Sequence, residues 1–306
     1  MTARVLDGRA VSADIRSEVS ERVRALSEKG VTPGLAAVLV GDDQASRIYV
    51  GAKHKACADV GIRSEQVDLP AYVTEGELLA TLRRLNRDPE IHGIIVQLPM
   101  PAGLRELEVQ RTVTPEKDVD GLHPWNVGMM LRGEPTFQPA TPYGIVELLL
   151  RSGIELEGAE VVVVGYGDLV GAPLSIMLAQ DSIRGNATVT ITHVKTRDLK
   201  AHTLKADILV AAAGVPHLIT GDMVKPGATV IDVGVHRTAE GLVGDVVYAG
   251  AAEVAGAITP VPGGVGPVTN AVLLDHLVRA AKWQETGHPI LAGHGQRDKA
   301  AKKKSV

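Results

Sequence analysis

The chain has 306 residues, room for two domains of ordinary size, and is 45% hydrophobic with only one Phe, two Trp and five Tyr. A core so poor in aromatics must be built from Val, Ile, Leu and Ala, which suits buried parallel strands better than a β-sandwich. The net charge of −4 argues against a nucleic-acid or membrane-surface partner, and the single cysteine, Cys57, excludes an internal disulfide framework or a cysteine-based metal cluster.

Along the first hundred residues helical and extended patterns alternate. Val11, Ile15, Val19, Val23 and Leu26 recur at helical spacing over Ala10–Lys29, and Gly30 stops the run. Leu35–Val40 reads as a buried strand, Ala45–Val60 as a helix and Arg63–Leu69 as an alternating strand. Thr74 followed by Glu77 is a capping-box pattern opening another helix, and Ile91–Leu98 is a strand that runs into Pro99. Strand and helix in alternation predict an α/β fold with a mostly parallel sheet. Residues 115–145 are turn-rich and poorly periodic, too much loop to be idle, and a helix starting at Ile145 leads into the second half.

That half repeats the alternation: strands at Glu160–Val164, Thr188–His193, Asp207–Ala211, Thr229–Val233 and Ala257–Val261, with a helix over Gly171–Gln180. After Gly263–Thr269 a final helix reaches about Trp283, and residues 293–306, with Lys302, Lys303 and Lys304, read as a disordered basic tail. No apolar run is long enough for a membrane helix, and the N-terminus lacks the apolar block of a signal peptide, so a cytoplasmic protein is expected.

Four valines at 161–164 drop into Gly165-Tyr166-Gly167 and then a helix, the context in which glycines let a phosphate approach backbone N–H groups. The spacing G-x-G-x-x-x-G departs from G-x-G-x-x-G, so a plain tight turn stays open as an alternative. A site for NAD places a carboxylate at the end of the second strand. Here that strand runs into His193-Val194-Lys195-Thr196-Arg197, with no carboxylate before Asp198. Such a loop suits a 2′-phosphate and hence NADP, or is merely a solvated turn.

In the first half Ser46, Tyr49 and Lys53 fall at i, i+3 and i+7 and share a helix face, with Ile48, Ala52 and Ala56 expected to pack inward. A partly desolvated lysine exchanges protons near neutrality, although an arbitrary Tyr-x-x-x-Lys is more often surface. Gln97, at the carboxyl end of a buried strand, is a fitting hydrogen-bond partner for such a lysine. Asp120 before Gly121 either grips an amino-pyrimidine edge or shapes the turn, while Asp118 reads as structural or paired to Lys117. His54, His123, His193 and His236 show no metal spacing, and no metal site is expected.

Taken together these blocks resemble the bifunctional methylenetetrahydrofolate dehydrogenase/methenyltetrahydrofolate cyclohydrolases. The match runs from Ser46 to Leu274 through Ser46-x-x-Tyr49-x-x-x-Lys53, Gly93–Pro99, Pro115–Gly121, Thr141-Pro-x-Gly144, Val170-Gly-x-Pro173, Ile231–Gly234, Gly244-Asp245 and Ile258–Pro267. The resemblance implies two α/β domains flanking a cleft: a folate-binding catalytic domain of residues 1–140 plus 270–292, and a Rossmann-like NADP-binding domain of residues 141–269. It implies a homodimer acting in one-carbon metabolism and purine biosynthesis. Lys53 would be the acid/base of the hydrolytic step, Tyr49 would stack on the folate rings, Gln97 would tune Lys53, and Asp120 would hold the pterin. Ser46, Val96, Leu98, Pro262, Gly263 and Gly264 would border the substrate. Gly165, Tyr166, Gly167, Val194, Lys195, Thr196 and Val235 would contact the cofactor. The family carries Arg where this chain has Tyr166 and Ser where it has Val194, so NAD stands beside NADP as a cofactor. A folate-binding paralogue with weak or altered-cofactor dehydrogenase activity, or an NADP-dependent dehydrogenase of the shikimate type, would be the alternatives.

Overall fold

A computed structural model describes residues 2–134, 136–239 and 241–287. The expected basic tail lies outside the described residues. The chain divides into two compact units, one formed by residues 13–140 with the described residues from 270 onward, the other by residues 2–12 with 141–269. The first twelve residues thus side with the second half, against the expected boundary at residue 1. The reason is a short strand, Arg4–Val5, that pairs in parallel with Ala257–Ile258. Each of the three crossings falls within a helix: Gly8–Ser27, Ala140–Arg151 and Val265–Thr286.

The unit containing Lys53 is built on three parallel strands in the order Arg63–Leu69, Gly34–Val40, Gly93–Val96. Gly34–Val40 is central and buried along its whole length, which is why it is a continuous apolar run rather than an alternating one. On one side Ala36, Val38 and Val40 pack with Ile94 against Leu78, Leu82 and Leu85 of the helix Glu75–Arg87. That helix opens with the expected box: Thr74 Oγ1 accepts from Glu77 N–H, and the Glu77 carboxylate accepts from Thr74 N–H at 2.9 Å. Within the turn-rich stretch the sequence hides a short helix, Pro124–Leu131. Proline occupies its first turn, where no N–H is needed, and His123 Nδ1 accepts from Trp125 N–H at 2.9 Å.

The other unit holds a six-stranded parallel sheet. Its spatial order is Arg4–Val5, Ala257–Ile258, Thr229–Asp232, Ile208–Ala211, Glu160–Val164, Thr188–Thr192. Val162, Val164, Leu209, Ala211, Val230 and Ile258 form one side of its core. The last strand stops at Ile258, short of the expected Val261, since Pro260 and Pro262 have no N–H to donate to a ladder. A small antiparallel hairpin, His236–Thr238 with Gly241–Val243, follows the strand Thr229–Asp232. Among the described residues no helix is long and apolar enough to cross a membrane.

Candidate active site and dinucleotide site

The helix Gln44–Asp59 carries Lys53 and is started by Asp43, whose carboxylate accepts from Ser46 N–H at 2.7 Å. Its buried positions are Ser46, Val50, Ala56 and Cys57, with Val60 just beyond the end. Lys53 falls between Val50 and Cys57 on that seam, one turn from each, and is half-buried. The expected inward packing of Ile48 and Ala52 is wrong: Ile48 is 55% exposed and Ala52 is also exposed, whereas Ala56 is buried as expected. The seam at 46, 50, 53, 57 and 60 is the face turned to the core, and it carries a cation in its middle. Tyr49, at the border of this seam, is 48% exposed and presents its ring to solvent.

Lys53 Nζ donates to Gln97 Oε1 at 3.1 Å. Gln97 is fixed from two sides: its backbone N–H donates to Val38 O at 2.9 Å, and its side-chain Nε2 donates to Leu98 O at 2.7 Å. The amide oxygen is therefore left facing the ammonium. The Asp120 carboxylate makes no hydrogen bond to another described residue. Burial raises its pKa above the usual carboxylate range, and the nearby Lys53 charge opposes that shift. Val96, Leu98 and Asp120 line a hollow of about 380 Å³ open to solvent, together with Ile95, Met100 and Leu122.

Asp118 is structural, as expected. It accepts from Leu122 N–H, His123 N–H and Asn126 Nδ2 at 3.1, 2.8 and 2.7 Å, and burial pushes its carboxyl up to about 6. It is not paired to Lys117, which donates instead to the carbonyls of Leu85 and Asp88 at 3.3 and 2.7 Å. The reason is burial: carbonyls that close the helix Glu75–Arg87 use the ammonium, while backbone N–H groups use the carboxylate.

In the other unit Gly165 follows the buried valine strand with φ +115°, and a Cβ there would lie 2.1 Å from Ala212 O. Only glycine fits this turn. Nothing lies within 4 Å of a Cβ built on Gly167, and Tyr166 is 59% exposed, so the turn offers an open backbone in front of the helix Gly171–Ala179. At the end of the neighbouring strand Thr196 Oγ1 accepts from His193 N–H at 2.9 Å, and Lys195 N–H donates to His193 Nδ1 at 3.1 Å. Val194, Lys195 and Arg197 are all exposed. A glycine cradle beside a loop with cations and no strand-end carboxylate fits a dinucleotide carrying a 2′-phosphate. Val235 lies at the same carboxyl edge but beyond the strand Ile208–Ala211, and is half-exposed. Pro262 is exposed, and Gly263 and Gly264 are buried, between Thr259 and the helix Val265–Thr286.

The catalytic domain of the tetrahydrofolate dehydrogenase/cyclohydrolase family matches residues 6–120, and the NAD(P)-binding domain of the same family matches residues 139–285. The chain is 53% identical to the bifunctional protein FolD of Bordetella avium over 92% of its own length and 98% of that protein. The chain belongs to the tetrahydrofolate dehydrogenase/cyclohydrolase family. FolD of Pelobacter propionicus is also 53% identical, with the same coverage. Among solved structures, the bifunctional FolD of Campylobacter jejuni superposes with a TM-score of 0.88 at 44% identity, covering 92% of this chain and 99% of that one. The FolD of Trypanosoma brucei, solved with NADP cofactor and an inhibitor, gives 0.88 at 40% identity, covering 94% and 99%.

Of the residues expected to serve the family's chemistry, the structure brings Lys53, Gln97 and Asp120 together in one unit, with Ser46 and Tyr49 on the lysine's helix. Pro262, Gly263 and Gly264 belong to the other unit. Motif reading did not assign a role to Asp232 and Asp245, although both lie in recognised blocks. They stand in Ile231-Asp-Val-Gly234 and Gly244-Asp245, on either side of a short hairpin, and their role depends on a contact between them that neither segment marks. Among the described residues no group of His, Cys, Asp or Glu is placed to hold a metal ion.

Proposed function

We propose that the chain oxidises 5,10-methylenetetrahydrofolate to 5,10-methenyltetrahydrofolate and hydrolyses that product to 10-formyltetrahydrofolate. The observation that carries this reading is the Lys53–Gln97 hydrogen bond at 3.1 Å beside an uncommitted Asp120 carboxylate, in a chain of this family. NADP, bound at the Gly165 turn, supplies the hydride acceptor. Gly165 and Gly167 approach the pyrophosphate, while Lys195, Thr196 and Arg197 meet the 2′-phosphate. Tyr166, Val194 and Val235 add apolar walls. The NADP complex of the Trypanosoma relative supports this choice.

Oxidation asks the protein chiefly for orientation, because the folate nitrogens stabilise the cation left behind. Asp120 accepts from the amino-pyrimidine edge, Tyr49 lays its ring on the folate, and Ser46, Val96 and Leu98 border it. In hydrolysis, water adds to the methenyl carbon, and opening of the ring requires a proton to leave that oxygen and another to reach nitrogen. Lys53 exchanges these protons, and Gln97 Oε1 fixes its ammonium. A folate-binding paralogue is not favoured, since relatives at 53% identity carry the bifunctional name. The enzyme acts as a homodimer in the cytoplasm, in the one-carbon supply to purine biosynthesis.

The test is a two-step absorbance assay with NADP and with NAD, run on the wild type and on Lys53→Met. The wild type reduces NADP and hydrolyses the methenyl product, and the variant loses hydrolysis. An unchanged hydrolytic rate in Lys53→Met overturns the assignment of that residue.

A further inference from the structure

The strand order of the six-stranded sheet reverses at Glu160–Val164. From there the chain goes first to Thr188–Thr192 on one side, then to Ile208–Ala211 on the other. Open α/β sheets bind ligands at such a switch point, beyond the carboxyl ends of the strands. Two turns flank it here, the one beginning at Gly165 and the one at Ala212–Gly214. They touch, since Gly165 lies directly against Ala212 O.

What holds the second turn is a carboxylate from far along the chain. Ala213 N–H and Gly214 N–H both donate to Asp245 Oδ2, at 2.7 and 2.9 Å. Asp245 is fully buried, and its Oδ1 is paired with His236 Nε2 at 2.7 Å. Its backbone is held in turn by a second buried carboxylate. Asp245 N–H donates to Asp232 Oδ1 at 2.9 Å, and Val246 N–H donates to Asp232 Oδ2 at 3.0 Å. Asp232 also takes Gly234 N–H at 3.0 Å, and its own N–H donates to Thr259 Oγ1 at 2.8 Å. Gly244 leaves room for this arrangement, for a Cβ there would sit 1.8 Å from Asp232 Oδ2.

Two buried carboxylates side by side are costly compared with an apolar pair of the same shape. Burial, opposed by its hydrogen bonds and aided by Asp245, pushes the Asp232 carboxyl up to about 6. In return, charged acceptors make shorter and stronger bonds to N–H groups than carbonyls do, and so hold a turn more firmly. We propose that Asp245 is a positioning residue for the dinucleotide: it fixes the Ala213–Gly214 turn, and through Ala212 the Gly165 turn, in the geometry the cofactor meets. The proposal rests on the reading of this unit as the NADP site and names a residue beyond the glycine turn and the strand-end loop.

The experiment is calorimetric titration of NADP into the full-length wild type, Asp245→Ala, Asp245→Asn and His236→Ala. KM for NADP and kcat at saturating NADP are measured on the same preparations. The cyclohydrolase rate, whose acid/base lies in the other unit, reports the folded fraction. In Asp245→Ala the Kd and KM for NADP rise by about tenfold or more while kcat falls much less, because two N–H groups lose a charged acceptor. Asp245→Asn, which keeps an oxygen for them, stays within about threefold of the wild type. An unchanged Kd in Asp245→Ala overturns the proposal, as does a loss of affinity that only follows a falling cyclohydrolase rate. Should Asp245→Ala not fold, His236→Ala decides: a rise in Kd of about threefold supports the proposal and no change overturns it. A wild type that binds neither NADP nor NAD overturns the underlying reading of the unit and the proposal with it.

Discussion

Gln97 faces Lys53 with its amide oxygen because its amide nitrogen is already committed to the carbonyl of Leu98. A side chain so anchored cannot turn over to present its N–H₂ to the ammonium. Gln97→Leu removes the acceptor and leaves the half-buried charge without its neutral partner. Hydrolysis of the methenyl substrate is expected to fall by about 10²-fold, the lower end for losing control of an acid/base group. Steady-state rates at several pH values check this, and a wild-type pH–rate profile in the variant would contradict it.

Gly165→Ala tests the dinucleotide turn. The new methyl meets Ala212 O, and the φ of +115° is unfavourable for any L-residue. Dehydrogenase kcat/KM for NADP is expected to drop by more than about tenfold, while thermal unfolding of the unit carrying Lys53 is little changed. Cofactor titration and differential scanning calorimetry measure the two effects separately.

Cys57 sits one turn beyond Lys53 and is buried. Burial pushes its thiol up to about 12, against the smaller influences of the Lys53 charge and the Ser64 hydroxyl. The thiolate, which is the reactive form, is therefore scarce at neutral pH. An aromatic disulfide reagent should leave the folded protein unmodified at pH 8 and titrate one thiol per chain after denaturation, the sole cysteine of the sequence. Rapid modification of the folded protein would contradict the buried placement.

His92 offers a pH test of stability. Its Nδ1 accepts from Gly34 N–H at 3.1 Å, which requires the neutral ring. Burial, then the Lys117 and Arg63 charges, lower its pKa below the ordinary 6.5. The unfolded chain thus takes up a proton at a higher pH than the folded one. The stabilisation is complete above 6.5 and is lost as pH falls from there toward the folded value. His92→Asn should show a smaller drop in Tm between pH 8 and pH 5.5 than the wild type.

Much of this was legible in the residues. The strands Gly34–Val40, Glu160–Val164 and Ile208–Ala211 are apolar runs bounded by glycine or charge, and a fully buried parallel strand has few other appearances. Thr74 and Glu77 announced a helix start that needs no tertiary contact. Where local signals were weak the reading failed. Arg4–Val5 is too short to show a period, and its strand character comes wholly from Ala257–Ile258. On the helix Gln44–Asp59 the apolar residues Ile48 and Ala52 pointed to the wrong face, because the buried seam is interrupted by Ser46 and Lys53. A polar residue placed in a seam for chemistry weakens the very periodicity by which the seam is found. The carboxylates Asp232 and Asp245 were invisible as a pair, since proximity across a hairpin has no mark in either segment.

The pairing of Arg4 with Ala257 also bears on how the protein is made. Among the described residues the edge strand Arg4–Val5 pairs with Ala257–Ile258 alone, a partner that follows every other strand of that sheet in the chain. The helix Val265–Thr286, part of which belongs to the other unit, comes later still. Neither unit is complete in a nascent chain until residues beyond 256 have emerged, and neither is one uninterrupted stretch of sequence. An excised fragment of residues 141–269 would keep its glycine turn but expose Ala257–Ile258 as a bare sheet edge, a surface that invites association with other chains.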